Sequence, residues 1–189
     1  MKNFKAKWKP NEIHPWTEFS PEQLNKTSLS NLTKDFLING FPESSAPFLS
    51  FGIENYDSKF ITIAEYYSDY QLDSKTKNYW IFGSDGNGNP ICIDSNSKDE
   101  ILLLDHEQSF EPIQKINRNV IELSQCLLEY KQFVELINSE FGEGGFFESK
   151  FTITHLNELK KRFEQINKNI FSESDFWNGE MEMLIEETK

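Results

Sequence analysis

The densest grouping of residues able to do chemistry is Gly83-Ser84-Asp85-Gly86-Asn87-Gly88-Asn89-Pro90. Asp85, Asn87 and Asn89 stand at the alternating spacing that supplies oxygen ligands to calcium. The sixth position, however, is Pro90, where the loop's sharp bend needs glycine, and the twelfth is Asn96, where a bidentate glutamate must close the ion's shell. The EF-hand reading therefore fails. The glycines are also in the wrong order for a dinucleotide loop, and no Gly-Lys-Ser/Thr follows to hold a nucleotide phosphate. What these residues do suit is a tight β-turn, because Gly and Asn tolerate positive φ.

Three histidines, His14, His106 and His155, are scattered along the chain without a second His or Cys at a metal-ligand spacing, so no metal and no cofactor is expected. His106 lies between Asp105 and Glu107, an arrangement that could orient a general base, yet no nucleophile elbow accompanies it. Carboxylates are too abundant for proximity in sequence to single out a glycosidase-like pair, and a hydrolase would further need a concave pocket holding two of them. Clusters such as Asp105, Glu107 and Glu111, or Glu180, Glu182, Glu186 and Glu187, read instead as negative patches able to steer a basic partner, or simply as solubilising surface. The chain is expected not to be an enzyme.

Aromatic residues gather at Tyr66, Tyr67, Tyr70, Tyr79 and Trp80. On strands, alternate members of such a set face outward, and exposed Tyr or Trp among acids makes a protein-binding hot spot. Coverage of these rings by C-terminal helices is an equally good reading.

The elements that must position these residues follow from periodicity and turn signals. Ser20-Pro21-Glu22-Gln23 opens a short helix, and Leu29, Leu32 and Phe36 mark a second one that stops at Asn39-Gly40. Four runs, KFITIAEYY, NYWIFGS, NPICID and EILLLD, read as consecutive strands of an antiparallel meander between Lys59 and Asp105, with Phe51 and Ile53 adding an edge. After a loop carrying Pro112, Asn119 and Glu122 cap a helix with Val120, Leu123, Leu127, Tyr130, Val134 and Ile137 on its buried face and Glu122, Glu129, Lys131 and Glu135 wet. Phe141 to Gly145 ends it as a flexible joint. A further helix capped by Thr154 and a last one begun by Ser172 and Asp175 complete the chain. The sum is an α+β fold, an antiparallel meandering sheet flanked by helices, in one domain over residues 1–189, with an N-terminal extension to residue 18 and a C-terminal helical extension over 146–189.

Composition bounds the function. With 31 acidic against 19 basic residues the net charge is −12, a field that repels nucleic-acid phosphates and anionic membranes and suits a basic protein partner. On charge alone, solubility is the leading explanation. Cys92 and Cys126 sit among apolar neighbours and read as small buried hydrophobes, in keeping with a reducing cytoplasm. No signal peptide and no membrane span is legible.

The run YWIFGSDGNGNPICID, then LLDHE, then INRNVIELSQCLLEY resembles the central block of the SUKH superfamily, with FLINGFP upstream and SDFWNGEMEML near the C-terminus similar to a branch carrying a longer helical extension. The resemblance spans Phe36 to Tyr130. It implies an α+β fold and, for many bacterial members, an immunity protein that binds and neutralises a nuclease or deaminase toxin domain. Other members are cell-wall-synthesis regulators acting as interaction scaffolds, the alternative here. The expected partner is a cognate, basic toxin, met through an acidic and aromatic face made of Tyr67, Trp80, Asp85, Asn87, Asp105, His106 and Glu107. The sequence leaves the oligomeric state open.

Overall fold

Between residues 79 and 117 the chain is cut into short β-branched and aromatic runs by Asn, Asp, Gly and Ser, and runs of that kind pair with their sequence neighbours. The computed structural model describes residues 4–52 and 60–189. The elements are α1 (Phe4–Trp8), β1 (Trp16–Thr17), α2 (Pro21–Lys26), α3 (Asn31–Leu37), β2 (Phe41–Pro42), β3 (Ser44–Ser45), β4 (Leu49–Phe51) and α4 (Ile63–Tyr66). After a 3-10 turn at Ser74–Asn78 come β5 (Tyr79–Ser84), β6 (Pro90–Asp94), β7 (Glu100–Asp105) and β8 (Glu111–Asn117), then α5 (Val120–Phe141), α6 (Ile153–Ile166), α7 (Ile170–Glu173) and α8 (Asp175–Glu186). Strands β3 to β8 form one antiparallel sheet in sequence order, and β1 pairs with β2. This is an α+β fold with a C-terminal helical part.

Both sheet faces are covered. On the helical face, Phe82, Ile91, Ile93, Ile101 and Leu103 share a core with Val120, Leu123, Leu127 and Tyr130 of α5, Leu156 and Phe163 of α6, and Trp177 and Leu184 of α8. On the opposite face Tyr79, Ile81, Cys92, Leu102, Leu104 and Phe110 pack under Ile63, with Ile61, Tyr66, Tyr67 and Leu72 around them. Each fully buried side chain of this size contributes about 1.5–3 kcal/mol of transfer free energy, so the second face is a substantial part of the fold.

That second face carries the clearest departures from the sequence reading. The run expected as a first strand, KFITIAEYY, forms only an isolated bridge from Thr62 to Trp80 and then turns into α4; its Lys59, like Ile53 of the expected edge strand, falls outside the described residues. The cause is local. Thr62 Oγ1 accepts from Glu65 N at 3.2 Å and Glu65 Oε2 accepts from Thr62 N at 3.0 Å, a reciprocal capping box that satisfies two backbone donors a strand would have to pair elsewhere. Conversely, the loop expected around Pro112 is β8. Proline is tolerated there because β8 is an edge, where no neighbour strand needs its missing N–H.

The last residues of that edge are covered by the start of helix α8, while Glu111, Pro112 and Ile113 stay exposed. Asp175 Oδ2 accepts from Lys115 N at 3.3 Å, and Ser174 Oγ donates to Ile116 O at 2.7 Å. The other edge, β3, is only two residues long. Both devices discourage edge-to-edge pairing with further strands.

Where β8 meets α5, a buried polar cluster locks the C-terminal helices to the sheet. Asn117 accepts from Trp177 Nε1 at 3.0 Å and donates to Glu122 at 3.3 Å, while Arg118 Nη2 donates to Glu122 Oε1 at 2.7 Å. Glu122, expected to stay wet, is therefore buried, since its charge is matched by Arg118 and by backbone donors. Asn119 caps α5 as expected, its Oδ1 accepting from Ile121 N and Glu122 N. The cap of α6 is Thr152 rather than Thr154, with His155 as its reciprocal partner, and that of α8 is Ser174, Ser172 lying within α7.

The glycine stretch after α5, expected as a flexible joint, is a hydrogen-bonded turn in which Gly142 N donates to Asn138 O and Asn138 Oδ1 accepts from Phe146 N at 2.9 Å. The N-terminal extension joins the same core: Trp8 is buried, with the Lys131 ammonium 5.6 Å from its ring centroid. Lys131, expected to be wet, is largely covered for this reason and pairs with Glu135.

Candidate functional site

Antiparallel order puts every second connection at the same end of a sheet. The β3–β4 turn (residues 46–48), the β5–β6 turn (85–89) and the β7–β8 turn (106–110) consequently line one end, across four strand spacings of ~4.8 Å, about 19 Å in all. Four of the seven residues expected to form a binding face lie on the last two of these turns, and a fifth, Asp105, ends β7 beside them.

Asp85 organises the β5–β6 turn. Its Oδ1 accepts from Asn87 N and Asn89 N, both at 2.8 Å, and its Oδ2 accepts from Asn89 Nδ2 at 3.1 Å. Gly88 holds φ +84 within it, a conformation that L side chains rarely adopt. With its amide nitrogen donating to Asp85, Asn89 presents Oδ1 to the neighbouring turn, where it accepts from His106 N at 3.3 Å and lies 2.8 Å from His106 Nδ1. The orientation of the Asn89 amide thus assigns the proton to Nδ1 and leaves Nε2 outward. Asp85, Asn89 and His106 form a continuous tie between two turns that are far apart in sequence.

Asp105 does for the β7–β8 turn what Asp85 does for its own. Its Oδ1 accepts from Glu107 N at 2.8 Å and Gln108 N at 3.2 Å, and its carbonyl accepts from Phe110 N at 2.9 Å. His106 is therefore oriented by Asn89 and not by the flanking Asp105. The arrangement lacks the carboxylate-to-imidazole contact that would orient His106 as a general base. Asn87 and Glu107 project from the turns as exposed side chains.

The aromatic residues separate into two groups. Tyr67 packs tilted against Phe110 at 4.6 Å between centroids and Tyr66 tilted against Tyr67 at 4.7 Å, and Tyr70 stands edge-on to Tyr67 at 6.1 Å. Tyr70 is 69% exposed. Tyr67 thus adjoins the β7–β8 turn. Trp80 does not: it lies near the start of β5, at the opposite end of the sheet, half-buried against the helical core, with Nε1 donating to Ser28 Oγ at 3.0 Å. Trp80 leaves the candidate face because strand alternation points it inward while Tyr79 faces the other side. The C-terminal helices cover Trp80's face of the sheet and leave the tyrosines to the opposite one.

One contributor was not foreseen. Phe48, at the tip of the β3–β4 turn, is 73% exposed and approaches Gly86 so closely that a Cβ there would meet Phe48 Cβ at 3.4 Å. Its φ of 53° lies in the left-handed region, unfavourable for an aromatic residue. The available signal was an aromatic residue between Pro47 and a short strand, outside any apolar period.

The acidic clusters fare unequally. In the C-terminal one, Glu180 accepts from Tyr130 Oη, Glu182 from Asn178 at 2.9 Å and Glu187 from Ser149 Oγ at 2.8 Å, while Glu186 pairs with Lys189. Burial pushes the Glu180 carboxyl above its ordinary range. At the turn end, Glu111 is held by Lys75 at 2.6 Å, which raises the Lys75 pKa through the hydrogen bond. Burial likewise pushes the Cys92 and Cys126 thiols well up. Among the described residues, no group of three His, Cys, Asp or Glu side chains is placed to hold a metal ion, and no helix is long and apolar enough to cross a membrane. No protein-family model, curated protein or solved structure matches the chain.

Proposed function

We propose that this chain is a cytoplasmic bacterial immunity protein, without enzymatic activity, that binds the toxin domain of a polymorphic or contact-dependent system through the turn end of its sheet. The observation that carries the reading is the surface itself. Phe48 and Tyr70 are large, exposed aromatic groups on either side of turns bearing Asp85, Asp105 and Glu107, and the turns are tied together by hydrogen bonds. Rigid aromatic anchors lose little conformational entropy on binding, and carboxylates among them favour a basic partner, as a nuclease or deaminase that handles nucleic acid would be. The net charge of −12 adds long-range attraction to the same partner. The sequence resemblance to the SUKH superfamily points the same way.

The test is capture of partners from native cells by the tagged chain, followed by affinity measurement at two ionic strengths with the purified partner, and by a toxicity assay with and without the chain. One basic partner bound at about nanomolar affinity or tighter, weakened by salt and detoxified on binding, supports the reading. Several weak partners would replace it with a regulatory scaffold, and a bound partner whose toxicity persists would refute it.

A further inference from the structure

Three aromatic rings, Phe110, Tyr67 and Tyr70, rise from a buried base to an exposed tip. Phe110 is only 5% exposed, Tyr67 half-buried above it, and Tyr70 69% exposed at the top. The base is fixed by the Asp105 carbonyl holding Phe110 N, and the tip by Tyr70 N donating to Tyr67 O at 3.0 Å, so the ladder is braced at both ends. Carboxylates flank it: Asp69 precedes Tyr70, and Glu107 stands on the turn that Phe110 closes. The neighbouring Glu111 already has its cation, both of its oxygens lying 2.6 Å from Lys75 Nζ.

We infer that this ladder is a platform for an arginine side chain of the bound protein, a step that rests on the protein-binding reading above and names the group that the surface recognises. An exposed aromatic face beside carboxylates attracts any cation, but the planar guanidinium stacks on the ring while its edge donates to a carboxylate. A lysine ammonium, compact and strongly hydrated, makes only one of these contacts well. Glu107 supplies an acceptor because, among the described residues, its carboxylate has no ion-pair or hydrogen-bond partner, whereas Asp85 and Asp105 spend theirs on their own turns. The ladder therefore selects arginine over lysine.

The experiment needs no partner protein. The isotope-labelled full chain is titrated with N-acetyl-arginine amide and, separately, with N-acetyl-lysine amide, and amide shifts are followed by NMR. The arginine compound is expected to perturb residues 67–70 and 106–110 and to bind about two- to fivefold more tightly than the lysine compound, the margin that a stacked, exposed cation contact provides. Tyr70→Ala should abolish that preference, Tyr70→Phe should keep it, and Glu107→Gln should weaken arginine binding. The Tyr70 ring is largely exposed, so the Ala variant should fold as the parent does, which its spectrum reports directly. Equal binding of the two amides, shifts spread over the acidic surface, or an arginine preference that survives Tyr70→Ala would overturn the inference. Any of these leaves the immunity reading to be judged by its own partner, and failure to find a toxin would leave the arginine preference standing.

Discussion

Asp85 is the residue at which a binding role and a folding role separate most cleanly. It accepts three hydrogen bonds within its turn, two from backbone amides at 2.8 Å and one from Asn89 Nδ2 at 3.1 Å. A net contribution of roughly 0.5–1.5 kcal/mol per bond applies to protected sites, and this turn is partly wet, so Asp85→Ala should cost about 1–2 kcal/mol in total. For a chain of this length that lowers Tm by about 2–8 °C. Asp85→Asn keeps an oxygen for both backbone donors and removes only the charge and one side-chain contact, so its cost should stay below about 0.5 kcal/mol.

The assay is paired thermal and urea unfolding of the two variants, with the His106 imidazole signals followed by NMR as a local reporter. In the Ala variant Asn89 loses the bond that orients its amide, and the His106 signals should move. In the Asn variant Nδ2 replaces the Oδ2 that holds the Asn89 amide, so the signals should move there as well, while Tm stays close to the parent's. An Ala variant melting within about 1 °C of the parent would refute the argument that these bonds shape the turn. If Asp85 were instead a contact charge, both substitutions would weaken partner binding alike while neither moved Tm.

Asn117→Ala should destabilise the chain by about 2–4 kcal/mol in urea unfolding, because it strands Trp177 Nε1 and removes a donor from buried Glu122; a loss under about 1 kcal/mol would show that the cluster relaxes. Glu180 has a raised carboxyl pKa in the fold, set by burial first and then by Glu187, against the Tyr130 hydroxyl that lowers it. The folded state therefore binds its proton more tightly than the unfolded state does, and the stability contributed is present below the ordinary carboxylate pKa and lost as pH rises through the folded value. Glu180→Gln should flatten that fall in Tm across this window, and an unchanged profile would contradict the assignment. Phe48→Gly should relieve the left-handed strain and raise Tm by about 2–4 °C, yet weaken partner binding at least tenfold or so; a Tm at or below the parent's would deny the strain.

Much of the sheet and of α5 was legible because both depend on strong, local signals. The apolar period from Val120 to Ile137 and its Asn119 cap specify a helix without reference to anything else, and the turn at 85–89 follows from Gly and Asn placement. The misreadings lie where a second signal competes. Between Thr62 and Tyr66 the aromatic and branched residues suit a strand, but a Thr-x-x-Glu box captures the backbone first. Pro112 reads as a break until the strand is known to be an edge. The candidate face was legible as turns and acids but not as a set, because bringing Phe48 beside Gly86, and Asn89 onto His106, depends on strand order rather than on local spacing.

The separation between buried and projecting acids bears on how a charge of −12 can serve recognition. At physiological salt the field of an exposed charge is screened within about 8 Å, so carboxylates engaged at the C-terminal helices can hasten encounter with a basic protein but cannot hold it in register. Holding falls to short-range groups, and at the turn end those are aromatic. There the carboxylates of Asp85 and Asp105 act indirectly, by fixing the turns from which Asn87, Glu107 and the rings project. Affinity at that face should accordingly depend on the aromatic groups at all ionic strengths, while the association rate depends on the total charge and falls with salt. Substituting Glu182 or Glu186 would slow association without changing the dissociation rate, and substituting Phe48 or Tyr70 would do the reverse.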